Sequence, residues 1–269
     1  MEAAVSSHHA IVFSAPSESL EIQDWPAAHA GFELQLVRSD APAAAATPEL
    51  VDVRPREGSE TATRVVNLIV ALIGLVAVSP LMVIVALLVR LTSRGPVLYS
   101  QTRVGVDRRY KRHDTDDRRR NDQGGKPFVM YKFRSMVIES EADGRAVWAR
   151  PKDPRVTPIG RVLRKTRLDE LPQLYNVIRG DMNIVGPRPE RPTIFAELRQ
   201  SIPQYHMRQR VKPGITGWAQ VNQAYDACLD DVRQKVSYDL EYIQRRSVRE
   251  DLRIMSLTIP VMLFRHGGW

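Results

Sequence analysis

A chain of 269 residues with one cysteine exceeds the usual single-domain length without requiring two packed cores, and it excludes an internal disulfide framework. Its formal charge of +8 is unevenly divided: residues 1–60 hold ten acids against Arg38, Arg54 and Arg56, so the remainder carries +15. A basic body of that size suits nucleic acid, an anionic membrane surface or a phosphorylated substrate, and charge alone does not choose among them.

Residues 1–60 come first. They include APAAAATPEL, further Pro, Ser and acidic positions, and only brief apolar patches such as AIVF and FELQLV, so an acidic, mostly disordered tail is predicted. No cationic start followed by an apolar core and a small-residue cleavage site opens the chain, so a secretory signal is not expected.

A membrane segment is predicted over 61–94. From Val65 to Val89 the chain has 25 residues without a charge, bracketed by Arg64 and Arg90. A continuous helix of that length spans roughly 37 Å, enough to cross a hydrocarbon core of about 30 Å with tilt. Ser79-Pro80 interrupts the run. Proline removes an N–H and disfavours helical backbone at the preceding residue, so a kink or reversal is expected there. The two halves, about 22 Å and 15 Å, are each too short to cross alone. A helix that enters, bends and leaves by the same face puts both arginines on one side, as the positive-inside tendency favours; a single kinked span is the alternative.

Next, GPVLYSQTRVG and KPFVMYKFRSM alternate like two strands bounded by turn formers. In the second, Phe128, Met130, Lys132 and Arg134 are expected on one face, which would project two cations together. Between the strands, residues 107–125 form a mixed-charge, glycine-ended insertion too polar to pack.

The stretch RKTRLDELPQLYNV follows. Leu171, Leu174, Tyr175 and Ile178 recur at helical spacing, Gly180 supplies a stop, and Pro172 is tolerated only in a first turn. Asp169 and Glu170 are thus expected at a helix N-terminus, where acids are routinely caps. Their neighbours argue for more: Arg164, Lys165 and Arg167 precede them, and Arg188 and Arg191 of GPRPERP follow. Cations beside a helix N-terminus suit a phosphorylated ligand, and a carboxylate inside such a site is a metal ligand or a nucleophile. Positive surroundings are expected to keep Asp169 ionised.

Other chemistries find little support: no Walker-type or dinucleotide-binding glycine motif occurs, the six histidines lack ligand spacing, and Cys228 has no evident partner base. Farther on, Val232, Val236, Leu240 and Ile243 mark a core-facing helical stripe. LRIMSLTIPVMLFRHGGW reads as an interfacial amphipathic helix or as a buried helix.

The order of the apolar segment broken by Ser-Pro, RGPVLYSQTRVG, KPFVMYKFRSM, DPRVTPIGRVLRKTRLDELPQLYNVIRGDMNIVGPRPE and VKPGITGWAQVN resembles the bacterial sugar transferase family, the monotopic polyprenyl-phosphate phosphoglycosyl transferases. The resemblance runs from about Arg64 onward. It implies an α+β protein: a re-entrant membrane helix-break-helix, then a mainly helical catalytic domain over 95–269 with a small β-hairpin and interfacial amphipathic helices. It also implies transfer of sugar-1-phosphate from a UDP-sugar to polyprenyl (undecaprenyl) phosphate, with UMP released, as the first membrane step of a surface glycan. By the same resemblance Asp169 and Glu170 are the catalytic dyad, Asp169 as nucleophile and Glu170 as ligand of Mg2+. Arg188 and Lys132 match phosphate-binding positions, and Arg164 and Arg134 are added from their charge. The protein would lie in the bacterial inner (cytoplasmic) membrane among its lipids, catalytic domain facing the cytoplasm, without a nucleic-acid partner; a homodimer is compatible with the sequence. Departures exist: Asn67 stands where many members have Asp, and the 107–125 insertion enlarges a normally short turn. A membrane-tethered nucleic-acid binder would explain the basic body, and a non-enzymatic organiser of glycan export the anchor, but neither accounts for an acidic dyad among phosphate-binding cations.

Overall fold

The computed structural model describes residues 52–109, 124–138, 153–223 and 228–264. Most of the predicted tail and insertion, and the last five residues, lie outside that set. The tail boundary moves, however, because residues 52–59 pack onto the body: Val53 is buried, its carbonyl accepts from Arg210 at 2.5 Å, and the Arg56 amide donates to the Ile243 carbonyl.

The first helix, α1, spans Glu60–Thr92. Ser59 caps it, its hydroxyl accepting from the Ala62 amide at 3.0 Å. The expected break at Ser79-Pro80 is not an interruption of the helix. Pro80 cannot donate to the Val76 carbonyl, and the Ser79 hydroxyl does so instead at 2.8 Å, which keeps that carbonyl paired. Both arms of α1 are seated on the same body. On the first arm Thr63, Asn67 and Ala71 are buried; Arg64 donates to the carbonyls of Val177 and Ile178, and Asn67 accepts from the Ile184 amide. On the second, Val85 and Val89 pack with Phe133 and Leu163. The outward face is apolar and exposed, from Ile69 and Ile73 through Val76 and Val83 to Leu87 and Leu91, which a helix bathed in water would not sustain.

Strands β1 (Leu98–Val104) and β2 (Pro127–Phe133) form the expected antiparallel hairpin, Tyr99 opposite Lys132. Phe128 and Met130 face the core, and Lys132 follows them on that side. Helix α2 (Pro158–Lys165) starts at Thr157, whose hydroxyl accepts from the Gly160 amide. Gly160 permits close approach to the segment that follows β2: a Cβ there would meet the Ser135 carbonyl at 2.0 Å. Helix α3 (Gln173–Arg179) closes on Gly180 in the left-handed conformation, φ 86°. Its buried residues are Gln173, Asn176 and Val177, with Leu174 beside Gly74 of α1. Tyr175 departs from the expected stripe; it is exposed and tilts against Tyr131. Asn176 joins α3 to the hairpin by accepting from the Tyr131 amide and donating to the Val129 carbonyl.

Two short parallel strands, β3 (Asn183–Val185) and β4 (Gly214–Thr216), frame the rest. Around them lie α4 (Pro192–Ser201), α5 (Trp218–Asn222), α6 (Leu229–Arg245) and α7 (Val248–Phe264). The α6 stripe is core as expected: Val232, Val236, Leu240 and Ile243 are all buried. Helix α7 buries Asp251 and Ile254 and exposes Leu252, Leu257, Ile259 and Met262, so one face packs on the body and the other is apolar and open. Mixed helix and strand is thus the observed class.

Candidate active site

Between α2 and α3 the chain reverses at Arg167, whose φ of 60° is left-handed and costs a non-glycine residue of order 1 kcal/mol. A 3-10 turn, Leu168–Glu170, follows and carries Asp169 and Glu170 inward, where both are buried. The pair therefore precedes α3, which begins at Gln173, rather than occupying its first turn.

The two acids differ sharply. One Glu170 oxygen, Oε1, accepts from Lys132 Nζ at 2.8 Å and from Arg188 Nη2 at 2.7 Å. Burial pushes the Glu170 carboxyl upward, but Arg188 and Lys132 outweigh it and hold the group well below the usual carboxylate range. Asp169 makes no side-chain hydrogen bond or ion pair among the described residues. Burial, with the charge of Glu170, raises it above its ordinary value against the pull of Lys132, Arg188 and Arg164. Positive surroundings alone would lower it; burial and Glu170 win because Lys132 and Arg188 are hydrogen-bonded to Glu170.

Arg188 is fixed through its backbone. Four successive carbonyls of its loop are occupied: Pro187 accepts from the Gly214 amide (3.0 Å), Arg188 from Arg208 (3.2 Å), Pro189 from Arg103 (3.0 Å) and Glu190 from the Val104 amide (2.8 Å). Behind the loop, the fully buried Arg208 donates to Asp239 at 2.6 Å and to the Tyr205 hydroxyl at 2.7 Å. Burial would raise Glu190, yet Lys235, Arg208 and Arg103 bring it down to about 2. Burial, together with Arg188 and Arg191, lowers Arg103 to about 10 against the pull of Glu190.

Of the residues singled out from sequence, the structure brings Asp169, Glu170, Lys132 and Arg188 together, with the half-buried Arg164 in electrostatic reach of Asp169. Arg134 is elsewhere. Strand β2 ends at Phe133, and the Arg134 guanidinium donates to the Ser93 and Arg94 carbonyls at the end of α1. The supports Arg103, Arg208, Lys235 and Asp239 were not anticipated. Lys235 and Asp239 share one turn of α6, a spacing that also describes an ordinary solvated pair.

Two adjacent carboxylates fit Mg2+, which commonly takes one or two protein carboxylates and completes its shell with water and substrate phosphates. Glu170 Oε2 stands 3.5 Å from Arg188 and retains acceptor capacity.

A cation-flanked Asp-Glu pair on a hairpin-and-helix body beside a long apolar helix is the arrangement the sequence motifs anticipate. Residues 58–265 match the family described as bacterial sugar transferase, and the chain belongs to it. Over 205 residues it is 42% identical to a UDP-N-acetylgalactosamine-undecaprenyl-phosphate N-acetylgalactosaminephosphotransferase of Aeromonas hydrophila, covering 76% of this chain and 44% of the relative. A UDP-glucose:undecaprenyl-phosphate glucose-1-phosphate transferase of Escherichia coli K12 is 42% identical over 198 residues, covering 73% and 39%. One with the same description from Caulobacter vibrioides is 36% identical over 211 residues, covering 78% and 72%. The chain spans less than half the length of the first two.

Proposed function

We propose that the protein transfers sugar-1-phosphate from a UDP-sugar to a polyprenyl phosphate at the membrane surface. The observation that carries this is the division within the dyad: a buried Asp169 with no hydrogen-bond or ion-pair partner among the described residues, beside a Glu170 clamped by Lys132 and Arg188. A carboxylate left without a hydrogen-bond partner in a cationic pocket is placed to attack phosphorus.

In the first step an Asp169 oxygen bonds to the β-phosphorus, the bridging P–O bond breaks, and UMP leaves with that oxygen and its electron pair. In the second, a polyprenyl phosphate oxygen attacks the same phosphorus, the acyl phosphate bond breaks, and the Asp169 carboxylate is restored. Lys132, Arg188 and Arg164 offset the negative charge gathered on the diphosphate. Mg2+, held by Glu170 with Asp169 adjacent, would supply further neutralisation of phosphate charge.

The same proposal places α1 as a re-entrant helix in the bacterial inner membrane, with the catalytic body in the cytoplasm. Its support is that both arms of α1, from Thr63 to Val89, rest on one body while the outward face is apolar.

The test uses UDP-sugar labelled in the β-phosphate, without lipid acceptor, followed by peptide mapping. Label on Asp169 that discharges when polyprenyl phosphate is added is expected. An enzyme that never carries label, and releases UMP only with both substrates bound, would mean direct transfer with Asp169 as a base.

A further inference from the structure

A second cationic site lies at the opposite end of α3 from the dyad. There a cavity of about 50 Å3 is lined by Arg64, Arg108, Arg210, Lys212 and Arg246, with Glu60 the one carboxylate among the described lining residues. Arg64 fixes its position, since its guanidinium donates to the Val177 and Ile178 carbonyls at the C-terminal end of α3.

Among the described residues the cations there outnumber the carboxylates. Arg210 pairs with Asp52, Arg108 stands 4.0 Å from Glu60, and Arg246 lies in electrostatic reach of Asp251. Lys212, half-buried, has no hydrogen bond or ion pair among the described residues, and the buried Nε of Arg246 has no partner. Burial, followed by the charges of Arg64 and Arg108, lowers the proton affinity of Lys212. Like charges gathered around an unpartnered ammonium raise the energy of the empty cleft, and a bound anion would lower it.

Size narrows the anion. A cavity needs about 10–15 Å3 to hold one water, so 50 Å3 takes a few waters or one tetrahedral oxyanion. Position narrows it further. The exposed apolar face of α1 begins at Val65 and Ile69, directly after Arg64, so the cavity sits at the N-terminal end of that face. If α1 lies in a bilayer, this is the headgroup level.

We propose that this cleft binds a phosphate group, with Lys212 as its principal free donor, as a site separate from the Asp169–Glu170 centre. The lipid source rests on the membrane placement of α1 and not on the transfer reaction, and binding is read without turnover.

The test takes the purified full chain in a neutral detergent and follows thermal unfolding during titration with inorganic phosphate or, separately, dihexanoyl phosphatidylglycerol. Wild type, Lys212→Gln and Lys212→Arg are compared. Wild type and Lys212→Arg are expected to be stabilised with similar half-saturation, and Lys212→Gln to need about tenfold more ligand, the loss of one charge-assisted hydrogen bond. Without ligand, Lys212→Gln is expected to melt at or above wild type, because it removes repulsion; a purely structural lysine would lower the melting point. A response to the phospholipid alone identifies a lipid headgroup as the source, and an equal response to inorganic phosphate identifies soluble phosphate. Wild type unresponsive to both, or Lys212→Gln with wild-type half-saturation, overturns the site.

Discussion

Glu170→Gln and Asp169→Asn are nearly isosteric changes at adjacent positions, yet they are expected to move stability in opposite directions. Glu170 is buried with Lys132 at 2.8 Å and Arg188 at 2.7 Å, and a neutral amide leaves both cations without their counter-charge. Removing one partner of a buried ion pair costs about 3–5 kcal/mol, and because the Arg188 side chain is 30% exposed, water recovers part of that, leaving roughly 2–3 kcal/mol. For a body of this size that is a fall of roughly 4–12 °C in Tm. Glu170 has a folded pKa below its ordinary 4.5, so its contribution is complete above that value and is lost as pH falls through the folded pKa. The gap between wild type and Glu170→Gln should therefore be full at pH 7.5 and shrink below about 4.5. Asp169 runs the other way. Its folded pKa is raised, so its ionised form costs stability at neutral pH, and Asp169→Asn should melt higher than wild type, with the gain vanishing as pH drops toward 3.8. Thermal unfolding in neutral detergent across pH reads both. An Asp169→Asn protein that melts below wild type at neutral pH, or a Glu170→Gln protein that melts with it, would sink the assignment of different electrostatic roles.

Arg208→Met should destabilise by about 3–5 kcal/mol by leaving Asp239 buried and unpaired, and the double variant with Asp239→Leu should recover much of the stability while UMP release stays low, since the Arg188 carbonyl remains without its donor. Asp251, raised by burial to about 6, destabilises the body above that pH; Asp251→Asn should therefore gain on the order of 2–3 kcal/mol at pH 7.5 and nothing below about 3.8, as read by chemical denaturation. Pro80→Ala returns an N–H to the Val76 carbonyl that Ser79 now serves and removes a ring that favours bending, so on the proposed re-entrant placement accessibility of a cysteine placed near residue 58 to an impermeant reagent in intact cells should rise. Unchanged accessibility would show that the seating of both arms, not the proline, sets the path of the helix.

Period-two alternation found β2 and put Lys132 on the buried side, because a strand ladder enforces that geometry residue by residue. The same alternation misplaced Arg134, since the ladder stops one residue earlier and the side chain is captured by carbonyls at the end of α1. Spacing also found the α6 stripe but overcounted the α3 stripe at Tyr175, where only the tertiary arrangement decides which flank α1 covers. The dyad was legible from its density of flanking charge. The direction in which Asp169 titrates was not, because it depends on burial and on which acid the cations choose. The Arg208, Asp239, Lys235 and Glu190 network left no local signal: Glu190, Arg208 and α6 are far apart in sequence, and the one close pair, Lys235 and Asp239, reads as an ordinary solvated pair.

The four occupied carbonyls from Pro187 to Glu190 also impose an order on biosynthesis. Their donors come from Arg103 and Val104, made before the loop, and from Arg208 and Gly214, made after it, and Arg208 in turn is held by Asp239. A nascent chain that has emerged only as far as the dyad and its arginine loop still lacks the parts that fix Arg188. The apolar α1, at residues 60–92, leaves the ribosome long before them. On the proposed function, membrane docking comes first and chemical competence nearly last, so a chain truncated before α6 would settle at the bilayer inactive rather than carry a half-built centre that consumes the donor proposed for it.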